Sequence, residues 1–169
     1  GKLINWARLI KSDAEIIYMR EAAQLIELAM RAGIDAIEPG VRQCDAVAEI
    51  YSAQICGTPE FGGEYTSLVP MLPTGEGTAT PHLTWNSEPF KLGEPTILEL
   101  AGCRNRYHCP MSRTVHLGPP PTRMATVADV AVEAINTTID MMKPGVTCED
   151  VQAAWTAVVR QHGIEKDSR

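Results

Sequence analysis

Leu98-Glu99-Leu100-Ala101-Gly102-Cys103-Arg104-Asn105-Arg106-Tyr107-His108-Cys109-Pro110-Met111-Ser112-Arg113-Thr114 decides the fold of this chain. Pro95-Thr96-Ile97-Leu98-Glu99-Leu100 follows the turn residues Gly93 and Glu94 and reads as a strand. Ser112 to Leu117 reads as the return arm of a hairpin after Tyr107. Strand alternation sends Ile97, Glu99 and Ala101 to one face and Thr96, Leu98 and Leu100 to the other. A carboxylate in an apolar strand is costly to bury without a partner. Glu99 is therefore either an edge residue in water or a site group that binds a cation, a metal or a transferable proton.

The surrounding region, Thr58 to Pro121, carries much Gly and Pro and little helical periodicity. Ser67-Leu68-Val69-Pro70-Met71-Leu72 reads as a further strand. His82 follows Thr80-Pro81 in a Gly/Thr-rich loop: a surface residue, or a general acid or base near neutral pH. Cys103, His108, Cys109 and His116 lie close in sequence, but their spacing does not suit a structural zinc site. Cys109 could be a nucleophile with His82 as base; a buried, inert thiol is the simpler reading. Arg113 could hold a substrate carboxylate or pair with a structural acid.

Helices flank this region. Ser12-Asp13-Ala14-Glu15 is a capping box, and Ile16, Met19, Ala23, Ile26 and Met30 recur at helical steps towards Gly33. A second helix fits Asp45 to Cys56, with Val47, Ile50, Tyr51 and Ile55 inward and Gly57 as its stop. After the strands, Val127, Ala131, Ala134, Ile135 and Met142 mark one helix face, and Val151, Ala154, Trp155, Val158, Val159 and His162 another. An offset of 105 residues superposes Ala29 on Ala134, Pro39-Gly40-Val41 on Pro144-Gly145-Val146 and Asp45 on Asp150. Either two helical hairpins share a common turn, or an α+β half is duplicated. On the second reading the chain is a fragment: strands follow the first helix pair, and only Ile164 to Arg169 follow the second.

Composition sets the class. The chain has 169 residues, 44% hydrophobic and 21% charged, which suits a globular fold. Its net charge is −6 with no basic cluster, which argues against a nucleic-acid or anionic-membrane surface. No apolar run approaches a bilayer span. Five cysteines without a CxxC pair suggest a reducing cytoplasm.

The hairpin stretch resembles the signature of the creatinase, aminopeptidase P, prolidase and methionine aminopeptidase superfamily. So do Ile10-Lys11-Ser12 with Glu15, the Pro-Gly-Val turns and the Pro81-His82 loop. The resemblance implies the α+β pita-bread fold, two α+β halves related by a pseudo-twofold axis. It implies a partial catalytic domain over 1–169: a first half at 12–121, the second half's helix pair at 123–163, and an N-terminal domain and C-terminal strands outside this sequence. Metallopeptidases of the family place two metal-binding carboxylates on the hairpin. Here Glu99 aligns with the first, but Pro110, without a ligand atom, aligns with the second. The remaining family ligands fall beyond Arg169.

Pro81-His82-Leu83-Thr84-Trp85, Glu99 to Cys103, Arg106 to Pro110 and Ser112 to Val115 resemble the superfamily's ectoine-hydrolysing branch. The implied protein is a cytoplasmic homodimer. It hydrolyses a C–N bond of a small cyclic amidine without a metal cofactor. His82 and Glu99 are the implied catalytic residues, and Tyr107 and Ser112 second-tier substrate contacts. The alternatives are a Xaa-Pro peptidase with two divalent metals (manganese, cobalt or zinc) and a non-catalytic binding module.

Overall fold

The computed structural model describes residues 2–165, which divide between two compact units, Gly1–Pro119 and Pro120–Arg169. The first unit holds helices α1 (Lys2–Leu9), α2 (Asp13–Ala36) and α3 (Gln43–Cys56), then strands β1 (Pro95–Arg104) and β2 (Tyr107–His116). The second holds α4 (Thr122–Met141) and α5 (Cys148–Gln161). The α+β class expected from the sequence is the class observed.

Helix α2 starts at the expected capping box. The Ser12 hydroxyl accepts from the Glu15 amide, and the Glu15 carboxylate accepts from the Ser12 amide at 2.7 Å. Gly33 does not end it. A Cβ there would lie 2.8 Å from Leu98 Cδ2 and 3.0 Å from Ile50 Cδ1, so the glycine lets β1 and α3 close on the helix, which continues to Ala36. The buried face is Ala22, Leu25, Ile26, Ala29, Met30 and Gly33. Only Ile26 and Met30 coincide with the expected core positions, and Ile16 is exposed. Small residues set this phase. A Cβ on Gly102 would meet the Ala22 carbonyl at 2.1 Å and the Ile26 amide at 2.8 Å, so β1 rests almost on the helix backbone.

Helix α3 begins two residues earlier than expected. It buries Ala46, Val47 and Ile50, whereas Ile55 is exposed. Gly57, at φ 65°, stops it. Two of its glutamines are buried and satisfied: Gln54 Nε2 donates to the Ala101 carbonyl at 2.7 Å, and Gln43 Oε1 accepts from the Asn86 amide at 3.1 Å. Helix α1, which the sequence did not announce, buries none of its residues.

Strands β1 and β2 pair antiparallel, with Glu99 opposite Ser112 and Ala101 opposite Pro110. The two-residue loop Asn105-Arg106 has positive φ at both positions, the demand of a type I′ turn. Glu64 supports it by accepting from both backbone amides, at 3.1 and 3.2 Å. Burial alternates along β1, with Thr96, Leu98 and Leu100 inward and Ile97, Glu99 and Ala101 on the opposite, open face. Residues 67–72 do not form the expected strand. Pro70 and Pro73 have no amide to offer a ladder, so only isolated bridges form, Met71 to Glu99 and Thr74 to Thr96.

The second unit packs Val130 and Ala134 of α4 against Val158 and Val159 of α5, with Trp155 and Ile164 partly buried beside them. The expected inward residues Val127, Ile135 and Met142 are exposed instead, because α5 covers a different stripe of α4. Val151, Ala154 and Trp155 are half-buried, and His162 is exposed. Thr147 and Asp150 form a reciprocal capping box on α5.

Candidate active site

Three of the four proposed site residues meet on the open face of the hairpin. His82 Nδ1 lies 2.9 Å from Glu99 Oε2. A carboxylate oxygen only accepts, so Nδ1 is the donor to Glu99, and in the neutral imidazole the lone pair is then on Nε2. Ser112 stands opposite Glu99 in the register, and both line one cleft. Tyr107 lies five register steps away, roughly 17 Å along the strand. Its hydroxyl donates to Glu15 Oε1 at 2.8 Å, and its ring stacks on Tyr18. The structure therefore does not bring Tyr107 to the His82–Glu99 pair.

The local backbone explains how His82 reaches a glutamate 17 residues away. Pro81 at the first corner and φ 61° at His82 match the pattern of a type II turn, whose second corner ordinarily takes Gly or Asn. The left-handed region costs an L-residue on the order of 1–2 kcal/mol. A polar contact this exposed (His82 side chain 68%, Glu99 33%) returns little stability. The turn therefore holds an imidazole against a carboxylate at a net cost to the fold, as strained functional sites do. Glu99 Oε1 has no protein partner among the described residues and remains available to a ligand.

The cleft beside the pair has a volume of about 380 Å³. Pro110 and Ala101 form its floor, and Leu68, Val69 and Met71 form a wall. The sequence reading missed this wall. Its signal was the apolar run Leu68-Val69-Pro70-Met71, read as a strand rather than as lining.

The remaining candidates separate. Cys103 faces His108 across the hairpin, but Cys109 falls on the opposite face, so no zinc cluster forms. His108 binds Ser67 instead, with Nε2 2.9 Å from the Ser67 hydroxyl. Burial pushes the Cys103 and Cys109 thiols above their ordinary pKa, which suits inert side chains. Cys109 also faces away from His82, so a Cys–His pair is excluded. Arg113 donates to the Ser112 carbonyl at 2.7 Å.

The donor set bears directly on metal chemistry. This face supplies one carboxylate and one imidazole, and Pro110, opposite Ala101, holds the position that the family resemblance gives to a second carboxylate. Among the described residues, no group of three or more His, Cys, Asp or Glu side chains could hold a metal ion. The hairpin face of this chain thus offers Glu99 as its one carboxylate donor among the described residues.

A helix layer under a β-hairpin, with a polar pair on the hairpin's outer face, places the chain among pita-bread α+β proteins. Prolidase from Pyrococcus furiosus shares this fold at a TM-score of 0.86 and 22% identity, matching 96% of this chain and 47% of that one. Residues 17–169 match the model of metallopeptidase family M24, and the chain belongs to that family. The ectoine hydrolase of Halomonas elongata is 43% identical over 171 residues, covering 98% of this chain and 43% of its own length. An uncharacterised hydrolase/peptidase of Sinorhizobium fredii is 44% identical over 167 residues, covering 99% of this chain and 43% of its own length. The chain thus spans less than half the length of these relatives.

Proposed function

We propose that the protein to which this chain belongs is a metal-independent hydrolase of a C–N bond in a small cyclic amidine, with ectoine as substrate and N-acetyl-diaminobutyrate as product. The observation that carries the proposal is the 2.9 Å contact between His82 and Glu99 on the open face, beside a proline where a second carboxylate would stand. The likeness to an ectoine hydrolase supports the substrate class. The same reading makes the protein a cytoplasmic homodimer, and the free cysteines of this chain suit the cytoplasmic part of that reading.

The chemistry follows from the two side chains. His82 Nε2 takes a proton from water as the water oxygen bonds to the amidine carbon. The C–N bond then breaks as His82 returns that proton to the leaving nitrogen, and the proton of the added hydroxyl passes to the departing amine, giving an amide and an ammonium group. Glu99 Oε2 holds the Nδ1 hydrogen and stabilises the imidazolium that forms. Glu99 Oε1 accepts from the amidinium N–H and positions the carbon. Ser112 offers a hydroxyl from the facing strand. General acid–base groups of this kind supply factors of roughly 10²–10⁴.

The test is turnover of ectoine by the full-length protein with and without a chelator. Activity is expected to survive chelation, and His82→Ala and Glu99→Gln are expected to lower it by about 10² or more while the fold persists. Loss on chelation with recovery on manganese, together with cleavage of a Gly-Pro dipeptide, would establish the peptidase reading instead. Folded variants with near-normal rates would remove the pair from the mechanism. No turnover on any substrate would favour a binding module.

A further inference from the structure

The strand register sets an apolar floor next to the His82–Glu99 pair. Glu99 opposes Ser112, and the next pair on the same face is Ala101 with Pro110. That step is roughly 7 Å along the strand, the length of a small heterocycle. Both floor residues are short, and Pro110 carries neither a side-chain donor nor an amide N–H. Leu68, Val69 and Met71 flank it, and among the described residues the polar side chains that line the cleft, Glu99 and Ser112, are at one end. Its volume of about 380 Å³ falls within the range of small-molecule sites.

We infer that this cleft is a specificity subsite that takes the alkyl body of a cationic substrate, with Ala101 and Pro110 as its specificity-determining floor. The inference rests on the proposed amidine hydrolysis and adds which amidines are accepted. The cation sits at Glu99, and methyl or ring methylene carbons lie over Ala101 and Pro110. A hydroxyl or carboxylate on that side of the substrate would lose water without gaining a partner, so such compounds are rejected. Apolar carbons gain instead, by about fourfold in affinity for each buried methylene. The proline that removes a carboxylate from this face thus also makes the face apolar.

The test uses full-length protein and three non-cyclic probes, formamidinium, acetamidinium and propionamidinium, titrated by saturation-transfer NMR. Affinity is expected to rise about fourfold with each added carbon. Ala101→Leu fills the floor without touching the His82–Glu99 pair. It should abolish the gain per carbon. Pro110→Ser puts a hydroxyl in the floor and should reduce the same gain, which keeps the test open should the leucine variant fail to fold. Equal wild-type affinity for all three probes, with formamidinium binding still lost in Glu99→Gln, would overturn the subsite and leave the proposed function standing. A gain per carbon that persists in both floor variants would also overturn it. Absence of any Glu99-dependent amidinium binding would overturn the proposed function, and the subsite with it.

Discussion

Helices α2 and α4 have the same place in two similar helix pairs, yet they bury different amounts of themselves. Both pairs turn through Pro-Gly-Val, with φ 92° at Gly40 and 97° at Gly145. Ala29 and its repeat partner Ala134 are both fully buried. One step further the two diverge. Met30 is 4% exposed and its partner Ile135 is 50% exposed, while Ile37 is 4% exposed and its partner Met142 is 59% exposed. The difference lies in what covers each helix. The β1–β2 hairpin lies over α2, with Gly102 seated against its backbone, whereas among the described residues of its own unit α4 packs on α5. An apolar stripe in a helix sequence therefore marks a face suited to burial, and only a neighbouring element makes it core.

That contrast is open to direct measurement in denaturant unfolding. Met30→Ala should cost about 2–5 kcal/mol, the range for removing a large buried side chain. Ile135→Ala should stay within about 0.5 kcal/mol, as exposed substitutions do. Equal losses would show that the α4 face is covered in solution and would break the comparison. A smaller effect tests the turns. Nothing lies within 4 Å of a Cβ placed on either Gly40 or Gly145, so each glycine is needed for its backbone angle alone. Gly40→Ala and Gly145→Ala should each cost on the order of 1–2 kcal/mol. Unequal costs would show that the two turns do not serve the same role.

What was legible in the sequence was local. The Ser12–Glu15 box, the alternation around Glu99 and the Pro-Gly-Val turns each depend on residues within a few positions of one another, and each formed as read. The phase of α2 was not legible. It is set by Ala22, Gly33 and Gly102, whose small size matters only once β1 lies on the helix. The strand expected at 67–72 failed because Pro70 and Pro73 interrupt the ladder, although Met71 still bridges Glu99. At the site, the outward direction of Glu99 followed from strand period, but its contact with His82 depends on a left-handed turn after Pro81. Tyr107 sits on the hairpin as the sequence implied. Its hydroxyl partner, Glu15, is 92 residues away, and no local pattern connects them.

The smallest expected effect sharpens the comparison at the helix caps. Glu15 and Asp150 both close capping boxes, and both carboxyls sit below their ordinary pKa. For Asp150 the chief cause is the Thr147 hydroxyl, followed by the Thr147 amide. Glu15 is lowered to about 2, chiefly by the Ser12 amide, then by the Tyr107 hydroxyl and the Ser12 hydroxyl. Only the first unit, therefore, ties its cap to the hairpin. A carboxyl whose pKa is depressed on folding stabilises the fold fully above its unfolded value and loses that contribution as pH falls through the folded value. The Glu15 contribution should accordingly fade between pH 4.5 and about 2. Tyr107→Phe removes one of the three hydrogen bonds that hold the carboxylate. In an NMR titration of side-chain carboxyls it should raise the Glu15 midpoint and leave that of Asp150 in place. An unmoved Glu15 midpoint would mean that the hairpin contributes nothing to the cap, and that the two caps differ only in sequence.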